Sequence, residues 1–253
     1  MRPHRDGVHQ SAQRTHRVLL DGADPMTDYI PGKQPLELKL DRLHNRLMEI
    51  GGRAEELLRL AMEGLEKRDV ERARQVRRAD ARINELDIEI DERSLELLAL
   101  QNPMAGDLRF IFAVLKATGE IERIADHAVN IANAGRRAAL EPPLPDIREI
   151  REIGAQVRSM LSRALGALVN RDPDDARAVI AEDPLVDDMR NSAIRTILSY
   201  MSEQPRYISP GVNMILVIQN LERIGDLATN IAEDAVFLVE GRSIKHADPA
   251  ATP

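Results

Sequence analysis

Leu40, Leu43, Leu47, Ile50, Ala54, Leu57, Leu58, Ala61 and Leu65 recur at helical spacing and form one apolar stripe. They predict a first helix from about Leu36 to the Lys67-Arg68-Asp69 turn. A second stripe starts near Val70 and carries Val76, Ile83, Leu86, Ile90, Leu97 and Leu98. Asn102-Pro103 breaks it, because a residue before proline is pushed out of the helical region. A third runs from about Ala105 through Ile111, Leu115, Ile121, Ala125, Ala128 and Ile131 to about Leu140. Glu141-Pro142-Pro143-Leu144-Pro145 then reads as a linker.

After the linker the pattern begins again. Ile150, Ile153, Val157, Met160, Leu161, Ala164 and Leu168 predict a fourth helix. Arg171-Asp172-Pro173 matches Arg68-Asp69-Val70, and Pro173 suits a first helical turn. Ile180, Val186, Met189, Ile194, Ile197 and Leu198 predict a fifth helix, broken at Gln204-Pro205 as the second is at Asn102-Pro103. A sixth runs from about Pro210 to Glu240 and stops at Gly241. The expected fold is all-α: six long helices in two pseudo-symmetric three-helix bundles, spanning 34–140 and 146–243 with the linker 141–145 between them.

The two halves share more than hydrophobic spacing. Glu122–Ala132 reads ERIADHAVNIA and Glu222–Ala232 reads ERIGDLATNIA, with eight of eleven residues identical. Packing alone explains the shared apolar positions. It does not explain the shared Glu, Asp and Asn. Glu122, Asp126 and Asn130 fall at i, i+4 and i+8, on one helical face, and so do Glu222, Asp226 and Asn230. The preceding helices add Asp80 and Asn84 in the first copy and Asp183 and Asp187 in the second. Antiparallel neighbours would bring these together as Asp80, Asn84, Glu122 and Asp126, and as Asp183, Asp187, Glu222 and Asp226.

Facing carboxylates repel, so something must offset them. Arginine neighbours such as Arg123 and Arg223 and solvent screening are one answer. A bound hard cation is another, since oxygen-only donor sets suit magnesium, manganese, calcium or oxidised iron. Zinc takes carboxylates too, usually with His. His127 has Leu227 as its counterpart and points away from the acids, so it reads as a helix-surface residue. The second copy, with four acids against three and Asn84, is the better expected metal site.

Composition narrows the choice of function. Aromatics make up only 2% of the 253 residues, so aliphatic side chains must fill the core, which favours helices. The formal charge of −7 argues against general nucleic-acid binding while leaving room for a local basic patch. Cysteine is absent, which excludes disulfides, thiolate metal sites and a Cys nucleophile. No apolar run approaches the ~20 residues of a membrane span. Residues 1–33 carry His4, His9 and His16 without apolar periodicity. They read as a disordered extension, with Met26 the better start, and 244–253 as a flexible tail. Gly51-Gly52 inside a helical pattern reads as a close helix contact. The Glu-x-x-His of di-iron bundles, a phosphate-cradling Gly-rich loop and the hydrolase motifs are all missing, so no catalytic residue is expected.

The duplicated ERIxDxAxNIA, the acid pairs on the preceding helices and the double three-helix layout closely resemble the PhoU family of phosphate-transport accessory proteins, over about Pro35 to His246. The resemblance implies a cytoplasmic regulator that restrains phosphate uptake and the phosphate-starvation response. It implies partners in a PstB-like ATPase of the phosphate ABC transporter and a PhoR-like sensor histidine kinase, and a homodimer. It also implies metal ions, among them iron, zinc, manganese or magnesium, held by Asp183, Asp187, Glu222 and Asp226. Asp80, Glu122 and Asp126 fit the same pattern, while Asn84 stands where an acid would strengthen the first site. Besides a regulatory adaptor, two readings stay open: a metal-storage protein or metalloenzyme on a helical bundle, and a plain scaffold whose acids only dock partners.

Overall fold

The computed structural model describes residues 35–244; the sequence expectations for 1–33 and for the tail beyond Ile244 lie outside them. The described residues form α1 (Pro35–Glu66), α2 (Val70–Leu100), α3 (Ala105–Ala139), α4 (Arg148–Asn170), α5 (Pro173–Ile180), α6 (Asp183–Glu203) and α7 (Ile208–Glu240). A single 3-10 turn, Pro205–Tyr207, precedes α7. No strand occurs among them. The longest helix, α3, has 35 residues and is therefore ~50 Å long.

The turns follow from local chemistry. Asp69 caps α2, its carboxylate accepting from the backbone N–H groups of Glu71 and Arg72. Asp172 repeats this for α5, accepting from Asp174 and Asp175. Before each cap sits an arginine in the left-handed region, Arg68 at φ 52° and Arg171 at φ 55°. The two copies thus keep even an unfavourable backbone angle in register. Gly241, at φ 70°, ends α7.

One helix departs from the periodic reading. The second helix of the second copy is interrupted at Ala181 and Glu182, so it is divided into α5 and α6. Pro184 in the first turn of α6 is the cause, because its ring cannot sit in a helix interior. Ala81 holds the corresponding place in α2, which runs on unbroken.

The long α3 and α7 lie antiparallel against each other at the centre. Their side chains cross-link along the seam: Lys116 with Asp234, His127 Nδ1 with Asn220 Oδ1 at 2.9 Å, and Arg137 Nε to Asn213 Oδ1 at 2.9 Å. α1 packs on α3 and α4 on α7, α1 also touches α4, and α2 and the α5–α6 pair flank the outside. The buried side chains of both halves join in one hydrophobic cluster, so the two bundles share a core. Gly51 permits part of this union. A Cβ there would meet Leu165 Cδ1 of α4 at 3.0 Å, whereas Gly52 faces open space.

Candidate functional site

The antiparallel pairing of α2 with α3 sets Asp80 beside Asp126 and Asp87 beside Glu122. Burial raises the Asp80 carboxyl above its ordinary range, and Asp126 adds to the rise. One Asp80 oxygen, Oδ1, is buried without a hydrogen-bond partner. Glu122 is raised by burial and then by Asp126, Asp87 and Asp80, with Arg123 working against them. Asp87 is raised by burial and by Asp91 one turn on. Asn84 is exposed, as is Asp126.

The second face is built the same way from α6 and α7. Burial raises Asp183, Asp187 adds to it, and Thr229 Oγ1 donates to Asp183 Oδ1 at 3.3 Å in partial relief. Asp226 is pushed up to about 6, first by burial and then by Glu222, Asp183 and Asp187. Like Asp126, it is nonetheless exposed on its solvent side. The structure therefore brings together the acids that the spacing places on each face, across two helices in each repeat.

Two residues missed by the sequence reading change the balance. Asp87 lies seven residues after Asp80, hence on the same face of α2. Arg190 holds the equivalent place in α6. It pairs with Asp187 at 3.1 Å and with Glu222, so the second face carries its own cation. The count that favoured the second face left out both. With Asp87 included, each face has four acids, and the first has no counterpart of Arg190. Extending the i, i+4 search by one more turn finds both residues.

The donor chemistry fits a hard cation, with oxygen ligands throughout and an orphaned buried oxygen at Asp80. The spacing is looser than a closed coordination shell: among the described residues no three His, Asp or Glu groups converge on one ion position. His127 is half-buried in the α3–α7 seam and turned to Asn220, which takes it away from the acids. A cavity of about 350 Å³ lies beneath the linker, lined by Met62, Leu65, Leu144 and Met214 among others, with Glu66 and Asp146 as its acids; no member of either acidic face lines it.

A family model, the PhoU domain, matches this chain twice, at residues 47–135 and 150–235. The chain belongs to the PhoU family. Each match contains one acidic face. The phosphate-specific transport system accessory protein PhoU homolog of Pseudomonas aeruginosa is 37% identical over 224 residues, covering 88% of this chain and 92% of that one. The homolog from Clostridium acetobutylicum is 35% identical over 209 residues, covering 82% and 95%. The crystal structure of PhoU from Pseudomonas aeruginosa superposes with a TM-score of 0.79 at 37% identity, over 82% of this chain and all of that one. The phosphate transport system regulatory protein PhoU of Streptococcus pneumoniae gives 0.75 at 27% identity, over 82% of this chain and 98% of that one. The PhoU fold thus accounts for both repeats and for the antiparallel partnership of their third helices. No helix among the described residues is long and apolar enough to cross a membrane.

Proposed function

We propose that this PhoU-family chain is a cytoplasmic, non-catalytic adaptor that restrains phosphate uptake and the phosphate-starvation response. It would do so by linking a PstB-like transporter ATPase to a PhoR-like sensor histidine kinase, and as a homodimer. The observation that carries this reading is the near full-length match to accessory proteins of phosphate transport. The acidic faces lie on long, rigid helices, which suits recognition of a complementary basic surface. Such complementarity sets orientation and encounter rate more than raw affinity. Deletion of the gene should leave phosphate-starvation genes on in phosphate-rich medium. Glu222→Lys with Asp226→Lys should weaken pull-down of the ATPase or the kinase while helicity is kept. Normal repression in a deletion strain without a second copy defeats this reading.

A metal at the acidic faces is the second reading, favoured by the orphaned Asp80 oxygen and the raised carboxyls. Asp80, Asp87, Glu122 and Asp126, with Asn84 at the rim, would hold one ion, and Asp183, Asp187, Glu222 and Asp226 another. Iron, manganese, magnesium or zinc would supply positive charge there and relieve the repulsion. The side chains would have to draw closer around it. Elemental analysis of protein purified without chelator tests this. Asp126→Asn and Asp226→Asn should each lower the metal content at their own face. Unchanged content makes the faces docking surfaces.

A further inference from the structure

The first repeat carries a feature that the second lacks. A groove of about 470 Å³ lies between the start of α2 and the end of α3, lined by Val70, Ala73, Arg74, Arg77, Arg78 and Arg136. The α2 members recur at three- and four-residue steps and so share one face. Arg77 Nη2 donates to Asn133 Oδ1 at 2.9 Å, which ties its guanidinium to α3. Arg74 pairs with Glu71. Among the described residues, no carboxylate forms an ion pair with Arg77, Arg78 or Arg136.

Four guanidiniums gathered on a chain of net charge −7 are not demanded by the fold. The internal repeat makes this plain. Where the first copy has Ala73, Val76, Arg77, Arg78 and Arg136, the second has Ala176, Val179, Ile180, Ala181 and Val236. Ala73, Val76, Ala176 and Val179 are all buried, so the packing positions are kept. The cations are not. Arg74 does have a counterpart in Arg177, but that side chain is taken up by Glu240. Attraction to the carbonyl end of α3 accounts for Arg136 alone.

We propose that this groove binds an oligophosphate, a short chain of linked phosphate groups, through its oxyanions. The arginine fork matches phosphate oxygens two at a time, which a lysine cannot do. The groove has room for several phosphate groups and falls within the usual size of small-ligand pockets, about 300–1,000 Å³. It offers no aromatic ring on which a base could stack. The ligand is therefore read by its phosphates. The inference does not depend on the regulatory reading, since it concerns binding by the isolated chain.

Titration calorimetry on the full chain tests it, with tripolyphosphate, orthophosphate, ATP and hexaglutamate as probes. Tripolyphosphate should bind once per chain and more tightly than orthophosphate or hexaglutamate. Its affinity should fall as salt rises from about 50 to about 200 mM. Comparable binding of ATP would support recognition through the phosphate chain alone, and tripolyphosphate tighter than ATP would point to free polyphosphate. Arg78→Ala with Arg136→Ala should weaken tripolyphosphate about tenfold or more, with an unchanged circular dichroism spectrum. Arg177→Ala, at the matching place of the second repeat, should leave it unchanged. Hexaglutamate binding as tightly as tripolyphosphate overturns the proposal in favour of an acidic protein segment. So does tripolyphosphate binding that ignores the Arg78 and Arg136 substitutions, or no binding at low salt.

Discussion

Asp226 sits at about 6 because burial and three carboxylates act on it, with Arg190 as partial relief. A carboxyl raised above its unfolded value holds its proton more tightly in the folded state. Its contribution to stability is fully present below the ordinary aspartate pKa of ~3.9 and is lost as pH climbs through about 6. In metal-free protein, Asp226→Asn should therefore raise the melting temperature by a few degrees at neutral pH. The gain should shrink toward zero near pH ~4, where wild-type Asp226 is protonated as well. Thermal unfolding across that range with chelator present checks the sign. A gain that is the same at both ends would mean that charge is not its source.

At the scale of the element, Asp69 and Asp172 do one job twice. Each accepts from two backbone N–H groups that the helix itself cannot satisfy. Asp69→Ala and Asp172→Ala should each cost about 1 kcal/mol, measured by urea unfolding. Asp69 precedes the 31-residue α2, whereas Asp172 starts the 8-residue α5. The positions of these turns were legible in the sequence, because proline and apolar spacing each have a local cause, whereas the capping bonds of Asp69 and Asp172 emerge only from the backbone geometry. The division of α5 from α6 was legible too, in Pro184, but the surrounding stripe of Val186 and Met189 masked it. Asp87 and Arg190 were harder. Their meaning comes from what the neighbouring helix sets opposite them, and periodicity along one helix is silent about that. The charge groove was the least legible, since Arg136 joins Arg77 and Arg78 only when α3 returns alongside α2.

For the molecule as a whole, the α3–α7 seam decides stability. Asp234 is 1% exposed, and Lys116 reaches it from the other repeat. Asp234 Oδ2 has no further partner, so the ion pair is the main compensation for burying this charge. Lys116→Met should destabilise the protein by about 3 kcal/mol in denaturant unfolding, because it strands a buried carboxylate. Lys116→Met with Asp234→Leu should recover much of that loss, which separates the stranded charge from lost packing. Two bundles with independent cores would confine such damage to one half. Here one cluster spans both, and a single cooperative transition is expected.

The shared seam also bears on how the chain is made. The apolar face of α3 is covered by α7, whose residues emerge from the ribosome about 100 positions later. At translation speeds of ~5–20 residues per second, the first repeat waits roughly 5–20 s with that face bare. During this interval the nascent half resembles a client for holdase chaperones, and a stall within 140–207 would release an aggregation-prone stub rather than a working domain.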